Sequence, residues 1–435
     1  MRARHVAVVG AGASGTIQAL HLLREGVERV TLIEREREPA RGTAYGTRRP
    51  EHLLNVTARR MSVYPDDPDH FARWYAARGG AAEDYAPRML FGDYLCELAA
   101  AERERLEIVS GEAVGIAAAG GGEQVELADG RSVAADAVIL ALGNLRPPTP
   151  PGIAPEALGA AYVEDPWFGA VGRDLDEPGA VLLIGSGLTA IDATLSLDAE
   201  GFGGRIVALS RRGLAPRPHL RRDPVVEPLA DFPRTCTALV RAVRSRGARI
   251  GWREAVHELR QVVQALWSEA PLVERRRFLR HLRPWWDVHR HRIAPAVAER
   301  IERMQREGRL AVVAGRLIAA DRVDDGAIVR WRRRGGAEVE ELRVRRIVNC
   351  TGPELDIRRA GEPLLEALLA AGRIRPDSCR LGVEVDAESR AVDSSGDPSR
   401  RLYAVGPITR GAFWETVAVA DIAVQTQAVA RRIAS

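Results

Sequence analysis

The sequence predicts an α/β protein built from two Rossmann-like dinucleotide-binding domains, the second with a helical insertion. Three observations predict it. A strand–glycine turn–helix–strand unit spans residues 5–34 and recurs over 180–210. The strand before each turn is a short apolar run with a β-branched bias, as buried parallel strands are. Elsewhere strand and helix patterns alternate, except over about 214–310, where helical periodicity runs alone.

In the first unit the strand 5–9 enters Gly10-Ala11-Gly12-Ala13-Ser14-Gly15. Gly10 allows the tight turn, Gly12 lets the backbone approach a pyrophosphate, and Gly15 lets the helix pack close to the strand. Ala13 and Ser14 open a helix whose free N–H groups and positive dipole end face a phosphate. The next strand ends at Glu34, about 20 residues on, where a carboxylate can accept from both ribose hydroxyls. Glycines alone are a weak signal. With the strand, the helix and the acid in place they specify an adenine dinucleotide, against the alternative of an unrelated glycine-rich turn.

Composition sets the outer bounds. The 435 residues suffice for two or three domains with sizeable cores. Hydrophobic and charged shares of 46% and 28% exclude disordered and fibrous classes. All 63 basic residues are Arg, which excludes Schiff-base chemistry and a Lys base. The net charge of +4 is small and the arginines are spread out, so no nucleic-acid partner is expected. No apolar stretch reaches the roughly 18 residues of a membrane span. The chain opens directly on a strand, which leaves no room for a signal peptide. Cys96, Cys236, Cys350 and Cys379 are far apart and form no C-x-x-C. That argues against a dithiol–disulfide reductase and against a metal site, and it fits a reduced, cytoplasmic protein.

Beyond Glu34 a charged strand exit covers 35–39. Residues 42–68 mix Gly, Pro and small polar types without periodicity, which predicts a long ordered loop, a type usually functional. Helices are expected over 71–77, with Asp69 as N-cap, and over 91–101 after Arg88. A strand at 106–110 precedes a three-stranded meander at 113–118, 123–127 and 131–134, turned by Gly120-Gly121-Gly122 and Asp129-Gly130. A buried strand, 137–142, ends in Gly143-Asn144. Pro147-Pro148-Thr149-Pro150-Pro151 then stops regular structure and marks a domain boundary.

The second unit reads Gly185-Ser186-Gly187-Leu188-Thr189-Ala190, a variant seen in dinucleotide sites. Its second strand ends in Ser210-Arg211-Arg212, with no acid at the ribose position. A guanidinium there can grip a 2′-phosphate that an acid would repel. The site reads as one for NADPH rather than NADH, unless the two arginines are only a solvated strand exit.

Helical periodicity at 232–245, 253–269, 273–283 and 293–307 makes 214–310 an insertion in the second domain. Its most distinctive piece is Arg283-Pro284-Trp285-Trp286-Asp287-Val288-His289-Arg290-His291-Arg292. Two readings stand: a cationic, aromatic-lined wall facing an anionic ligand, or a charged helix start with Trp packed into the domain joint. Strands resume at 310–314, 327–331 and 341–344. The run 346–349 enters Cys350-Thr351-Gly352-Pro353, resembling 141–144, and suits a crossing between domains. A last strand, 402–405, leads to Gly406-Pro407 and a helix over about 413–432, whose N-terminus can stabilise negative charge on a redox ring. The expected organisation is a discontinuous first domain, 1–150 with 345–435, and a second domain, 175–345.

Several motifs now carry a resemblance. They are Arg41-Gly42-Thr43-Ala44-Tyr45-Gly46, His52-Leu53-Leu54-Asn55-Val56, Met61-Ser62, Asp66-Asp67-Pro68, and Arg88 with Gly92-Asp93-Tyr94. The ending Gly406-Pro407-Ile408-Thr409-Arg410-Gly411-Ala412-Phe413-Trp414-Glu415 joins them. The chain resembles flavin-dependent monooxygenases with two dinucleotide-binding domains, in particular a bacterial group that includes FAD-dependent urate hydroxylases and aspartate N-monooxygenases. The resemblance spans almost the whole chain.

It implies FAD on Gly10, Gly12, Ala13, Ser14, Gly15 and Glu34, with Gly42, Thr43, Tyr45, Asn55, Met61, Gly143, Gly406, Pro407, Phe413 and Trp414 around it. It implies NADPH on Gly185, Ser186, Gly187, Leu188, Thr189, Ser210, Arg211 and Arg212. Asn55 and Arg88 are the candidates for groups beside the flavin ring or the substrate, with a structural loop role as the alternative. One departure stands out: many relatives carry Gly-Asp at the last flavin strand, where Gly406-Pro407 stands here. The implied reaction is oxygenation of a small polar substrate by O2 through a flavin C4a-hydroperoxide, as amino-acid N-hydroxylation or ring hydroxylation. The arginine-rich loops favour an anionic substrate. Two other classes share the plan: a flavin dehydrogenase or reductase serving a separate acceptor, and a nucleotide-binding redox sensor.

Overall fold

The computed structural model describes residues 3–35, 38–167, 171–175, 179–219 and 232–435. Part of the strand exit, 36–37, and residues 220–231 of the expected insertion lie outside them.

The apolar run His5–Val9 lies inside a six-stranded sheet ordered 390–392, 398–404, 137–140, 5–9, 29–34, 106–110. All neighbours are parallel except the outermost pair, 390–392 with 398–404. Val6, Val8 and Ala7, Val9 face opposite sides and all are buried, which is why the strand reads as an unbroken apolar run. One face is covered by Ala13–Arg24 and by the closing helix, Val419–Ala434. Gln18 Nε2 donates to the Thr426 carbonyl at 3.1 Å, and His21 Nδ1 lies 2.9 Å from Thr426 Oγ1. The three-stranded meander, 113–119, 122–127 and 132–135, covers the other face through Val125 and Leu127.

A second sheet of seven strands is ordered 339–344, 326–333, 310–323, 205–210, 180–184, 346–349, 162–163. Its longest strand, Leu310–Val323, does two tasks. The first part pairs parallel with Arg205–Ser210, and the rest pairs antiparallel with Gly326–Arg333. The pairing changes between Ala314 and Gly315, and a register shift between Leu317 and Ala319 interrupts the antiparallel part. The insertion forms five helices among the described residues: Cys236–Ile250, Trp252–Glu269, Leu272–His281, Arg283–Arg290 and Pro295–Arg306. No helix of the described residues is long and apolar enough to cross a membrane.

Three expectations need correction. The strand Arg346–Asn349 pairs with Ala180–Ile184 and Tyr162–Val163, inside the second sheet. The chain therefore returns to the first sheet after residue 349, not at 345, and 162–163 already belongs to the second. The outgoing and returning segments run side by side: Asn349 Nδ2 donates to the Pro148 carbonyl at 3.1 Å, and the Glu354 N–H to the Arg146 carbonyl at 3.2 Å. The closing helix begins at Val419 rather than near Phe413. Burial of Trp414 against Trp267 and Phe278 holds the preceding stretch out of helix. Asp69 does precede a helix, His70–Ala76, but its side chain caps nothing.

Burial keeps two imidazoles neutral, His21 and His289, each pulled down to about 4. Their folded pKa lies below the unfolded value of about 6.5, so between those limits the unfolded chain binds more protons. Stability should be complete above about pH 6.5 and fall towards about pH 4, by up to about 1.4 kcal/mol per pH unit for each ring. Urea midpoints taken across that window should decline steadily. A flat profile would mean that both rings protonate in place without cost.

Candidate active site

The first glycine turn is tied at every point. Gly10 sits at φ 98°, donates its N–H to the Ile33 carbonyl at 2.9 Å, and a Cβ there would meet the Ala141 carbonyl oxygen at 2.5 Å. A methyl at Gly15 would overlap the Gly10 carbonyl oxygen. Gly12 is the N-cap of Ala13–Arg24 with no side-chain cap, which leaves the first helical N–H groups to a ligand. Glu34 Oε2 accepts the Ala11 N–H at 2.8 Å, so the acid expected to meet the ribose pins the turn.

Distant glycines converge here. A Cβ on Gly12 would lie 3.4 Å from the Gly42 Cα, and a Cβ on Gly406 2.6 Å from Ser14 Oγ. Gly143, at φ 67°, ends the neighbouring strand segment. Gly42 and Thr43 are exposed beside the turn, and Tyr45 packs on Phe91 at 4.7 Å. Pro407 is in the Gly406–Thr409 turn, and Phe413 packs against the sheet core. A glycine cradle that a Cβ at Gly10, Gly15 or Gly406 would crowd, an uncapped helix end and an acid beside them fit FAD. Met61 is buried among Leu54, Phe71 and Phe91, in a cluster that Ala13 and Tyr45 also join.

The second turn repeats the plan. Gly185 sits at φ 121°, and a Cβ there would overlap the Cys350 carbonyl oxygen. Gly187 is an N-cap without a side-chain cap, has open space around its Cα, and leads into Leu188 and Thr189. Ser186 Oγ lies 2.7 Å from Ser210 Oγ, which accepts the Gly213 N–H at 3.0 Å. Beside this turn opens a cavity of about 630 Å³ lined by Arg211, Arg212, Arg276, Arg280 and Arg334, with Leu279 and Pro284. Sequence reasoning found the first two arginines. It missed the other three because they come from the insertion and from beyond strand 326–333, and arginine is common throughout.

Asn55 and Arg88 are each open, on sequence, to a place beside the ring or to a structural loop role, and their contacts are of the structural kind. Arg88 Nη2 pairs with Asp192 at 2.5 Å, and its guanidinium lies 4.9 Å from the Trp167 ring centre. His52 Nε2 lies 2.9 Å from Ser196 Oγ, and Arg49 pairs with Glu200. The Asn55 carbonyl is 2.8 Å from His219 Nε2. Asp192, Ser196 and Glu200 belong to or cap the helix Leu188–Ala199, so the long loop clasps the second domain.

An FAD-NAD(P)-binding family matches residues 7–145. No curated protein matches the chain in sequence. Among solved structures, L-lysine 6-monooxygenase from Pseudomonas syringae superposes with a TM-score of 0.67 at 15% identity, covering 99% of each chain. Ornithine hydroxylase from Pseudomonas aeruginosa gives 0.65 at 17%, covering 99% of this chain and 98% of that one. Thioredoxin reductase from Lactococcus lactis gives 0.55 at 15%, covering 99% of each. The chain has the fold of flavin-dependent oxidoreductases and an FAD-NAD(P)-binding domain.

Proposed function

We propose that the chain is an NADPH- and FAD-dependent monooxygenase that oxygenates a small polar substrate, by hydroxylating an amino-acid nitrogen or a ring. FAD would lie in the discontinuous first domain and NADPH in the second. The observation that carries the choice of reaction is that all four cysteines are free and lie on separate segments. Reducing equivalents from NADPH then meet no thiol pair, which favours O2 as the acceptor over a disulfide. Bound FAD would supply hydride acceptance and O2 activation. The residues do the rest. Gly185, Gly187 and the first turn of Leu188–Ala199 hold the pyrophosphate, and the arginine cavity holds the 2′-phosphate. The Arg88–Asp192 and His52–Ser196 contacts fix one domain against the other.

The FAD-loaded protein, reduced by NADPH and mixed rapidly with O2, should show a transient distinct from both reduced and oxidised flavin. Direct reoxidation without one would favour a dehydrogenase or reductase serving a separate acceptor.

Coenzyme choice gives a second test. A charge-assisted bond contributes about 1.5–3 kcal/mol, but Arg211 is exposed and four guanidinium groups remain around the cavity. Arg211→Ala should therefore lose roughly tenfold in NADPH efficiency, the low end of that range, with NADH nearly unchanged. High salt should narrow the preference of the unmutated protein. If the variant weakens both coenzymes alike, Arg211 serves the fold or the pyrophosphate instead.

A further inference from the structure

The joint between the insertion and the residues after Gly406 is packed with charge. Four guanidinium groups, Arg260, Arg283, Arg290 and Arg410, meet three carboxylates, Asp287, Glu415 and Asp421. The tightest pair is Arg290 Nε with Glu415 Oε2 at 2.6 Å, both side chains under 10% exposed. Other pairs are looser: Arg283 Nε is 3.4 Å from Asp287 Oδ2, and Arg410 Nη2 is 4.0 Å from Asp287 Oδ1. His291 adds no charge, because burial and the surrounding arginines hold it down to about 3. Positive charge is in excess by one among these groups, and the exposed Arg60, which also acts on Arg260, adds to it from outside.

It is also incompletely bonded. Arg290 Nη2, Arg410 Nε, Trp286 Nε1 and Trp414 Nε1 are buried donors without a partner, and Asp287 Oδ1 and Asp421 Oδ2 are buried acceptors without one. Arg410, Trp286 and Trp414 are 8%, 7% and 1% exposed, so bulk water does not satisfy them. Buried polar atoms are rarely left unbonded; an ordered water, an ion or a ligand completes them, and so many around one charged joint favour a ligand. The place suits one. Gly406 abuts Ser14 at the head of the FAD cradle, and the Arg410 N–H donates to the Pro407 carbonyl at 3.2 Å, so the cluster begins one turn beyond the cradle.

The geometry points to a substrate pocket at this joint for a small molecule of net charge −1 that carries an N–H or ammonium donor. Its anionic end sits on Arg290, Arg410 and the two indole N–H groups; its donor faces Asp287 and Asp421. Burial pushes both aspartates up, and a donor from the ligand would favour their charged forms. A cationic ligand would add to the arginine excess and is disfavoured. Calling the ligand the substrate rests on the monooxygenase reading, whereas its binding does not.

The test is calorimetric titration of FAD-loaded protein, without NADPH, using L-glutamate and urate as anions, L-glutamine as the neutral form and L-ornithine as the cation. At least one anion should bind roughly tenfold or more tightly than the neutral and cationic probes. Arg410→Gln should remove that preference, and Asp287→Asn should enlarge it, so a misfolded variant of one sign leaves the other to decide. Failure of both anions to bind, or ornithine binding as tightly, overturns the pocket. Oxygen chemistry that persists while neither anion binds would sink this inference and leave the monooxygenase reading standing.

Discussion

Gly15→Ala should strip FAD from the protein and lower its melting temperature. On helix propensity alone the change would help by about 1 kcal/mol, since alanine is the better helix former. The added methyl, however, would overlap the Gly10 carbonyl oxygen. That oxygen belongs to a backbone turn fixed by Ile33 and Ala141, which cannot retreat as a flexible side chain would. Overpacking of this kind costs about 1–3 kcal/mol, roughly 1–3 °C for a chain this long, and it displaces the N–H groups that would meet the pyrophosphate. Gly12→Ala is the control. Its nearest neighbour is the Gly42 Cα at 3.4 Å, an ordinary contact, so the fold should hold while flavin occupancy falls. The ratio of flavin to protein absorbance reads both variants. A Gly15→Ala protein with full occupancy and an unchanged melt would place FAD elsewhere.

A fragment ending at residue 150 should not fold, although it contains the whole first glycine turn. Strand Pro398–Ala404 is the parallel neighbour of Ala137–Leu140, and the closing helix supplies Thr426 to Gln18 and His21. Leu402, Val405, Val429 and Ile433 are fully buried in these packings. Losing those four burials alone forfeits about 6–12 kcal/mol as an upper estimate, against a total stability of about 5–15 kcal/mol. The complementary chain should succeed: residues 3–146 joined by a short linker to 354–435, because Arg146 and Glu354 already touch. Circular dichroism melts and flavin content separate the two. A cooperative, FAD-loaded fragment of 3–150 would mean that the first domain is continuous.

The two glycine turns, their strands and the meander were legible because local rules dictate them: a tight turn needs glycine, and a strand buried on both faces is an apolar run. Errors fell where distant contacts decide. The strand 346–349 is as apolar as its counterparts in the first sheet, and nothing local says which sheet it enters. Arg88 carries no sign in sequence that Asp192, on a helix of the other domain, will hold it. Met61 sits in a motif that the resemblance assigns to the flavin, and its side chain is buried in the core. The Trp285-to-Arg292 stretch offered two readings, and the packing of one Trp into the joint is visible. Trp286 is packed at the joint, while Trp285 is 43% exposed. Which arginines belong to the cavity beside the second turn, and which only solvate a surface, depends on three-dimensional grouping that abundance conceals.

The lysine-free composition has a consequence at the crowded joint. An ammonium group in so dry a place would shed its proton near neutrality, as buried amines do. Guanidinium groups resist: burial draws Arg260 and Arg410 down only to about 10. Across the physiological range their charge is therefore constant, and His291 stays discharged throughout. The cationic part of the local field is a fixed background, so any pH dependence of binding there over neutral pH would come from the ligand's own ionisation or from Asp287 and Asp421, which burial pushes up.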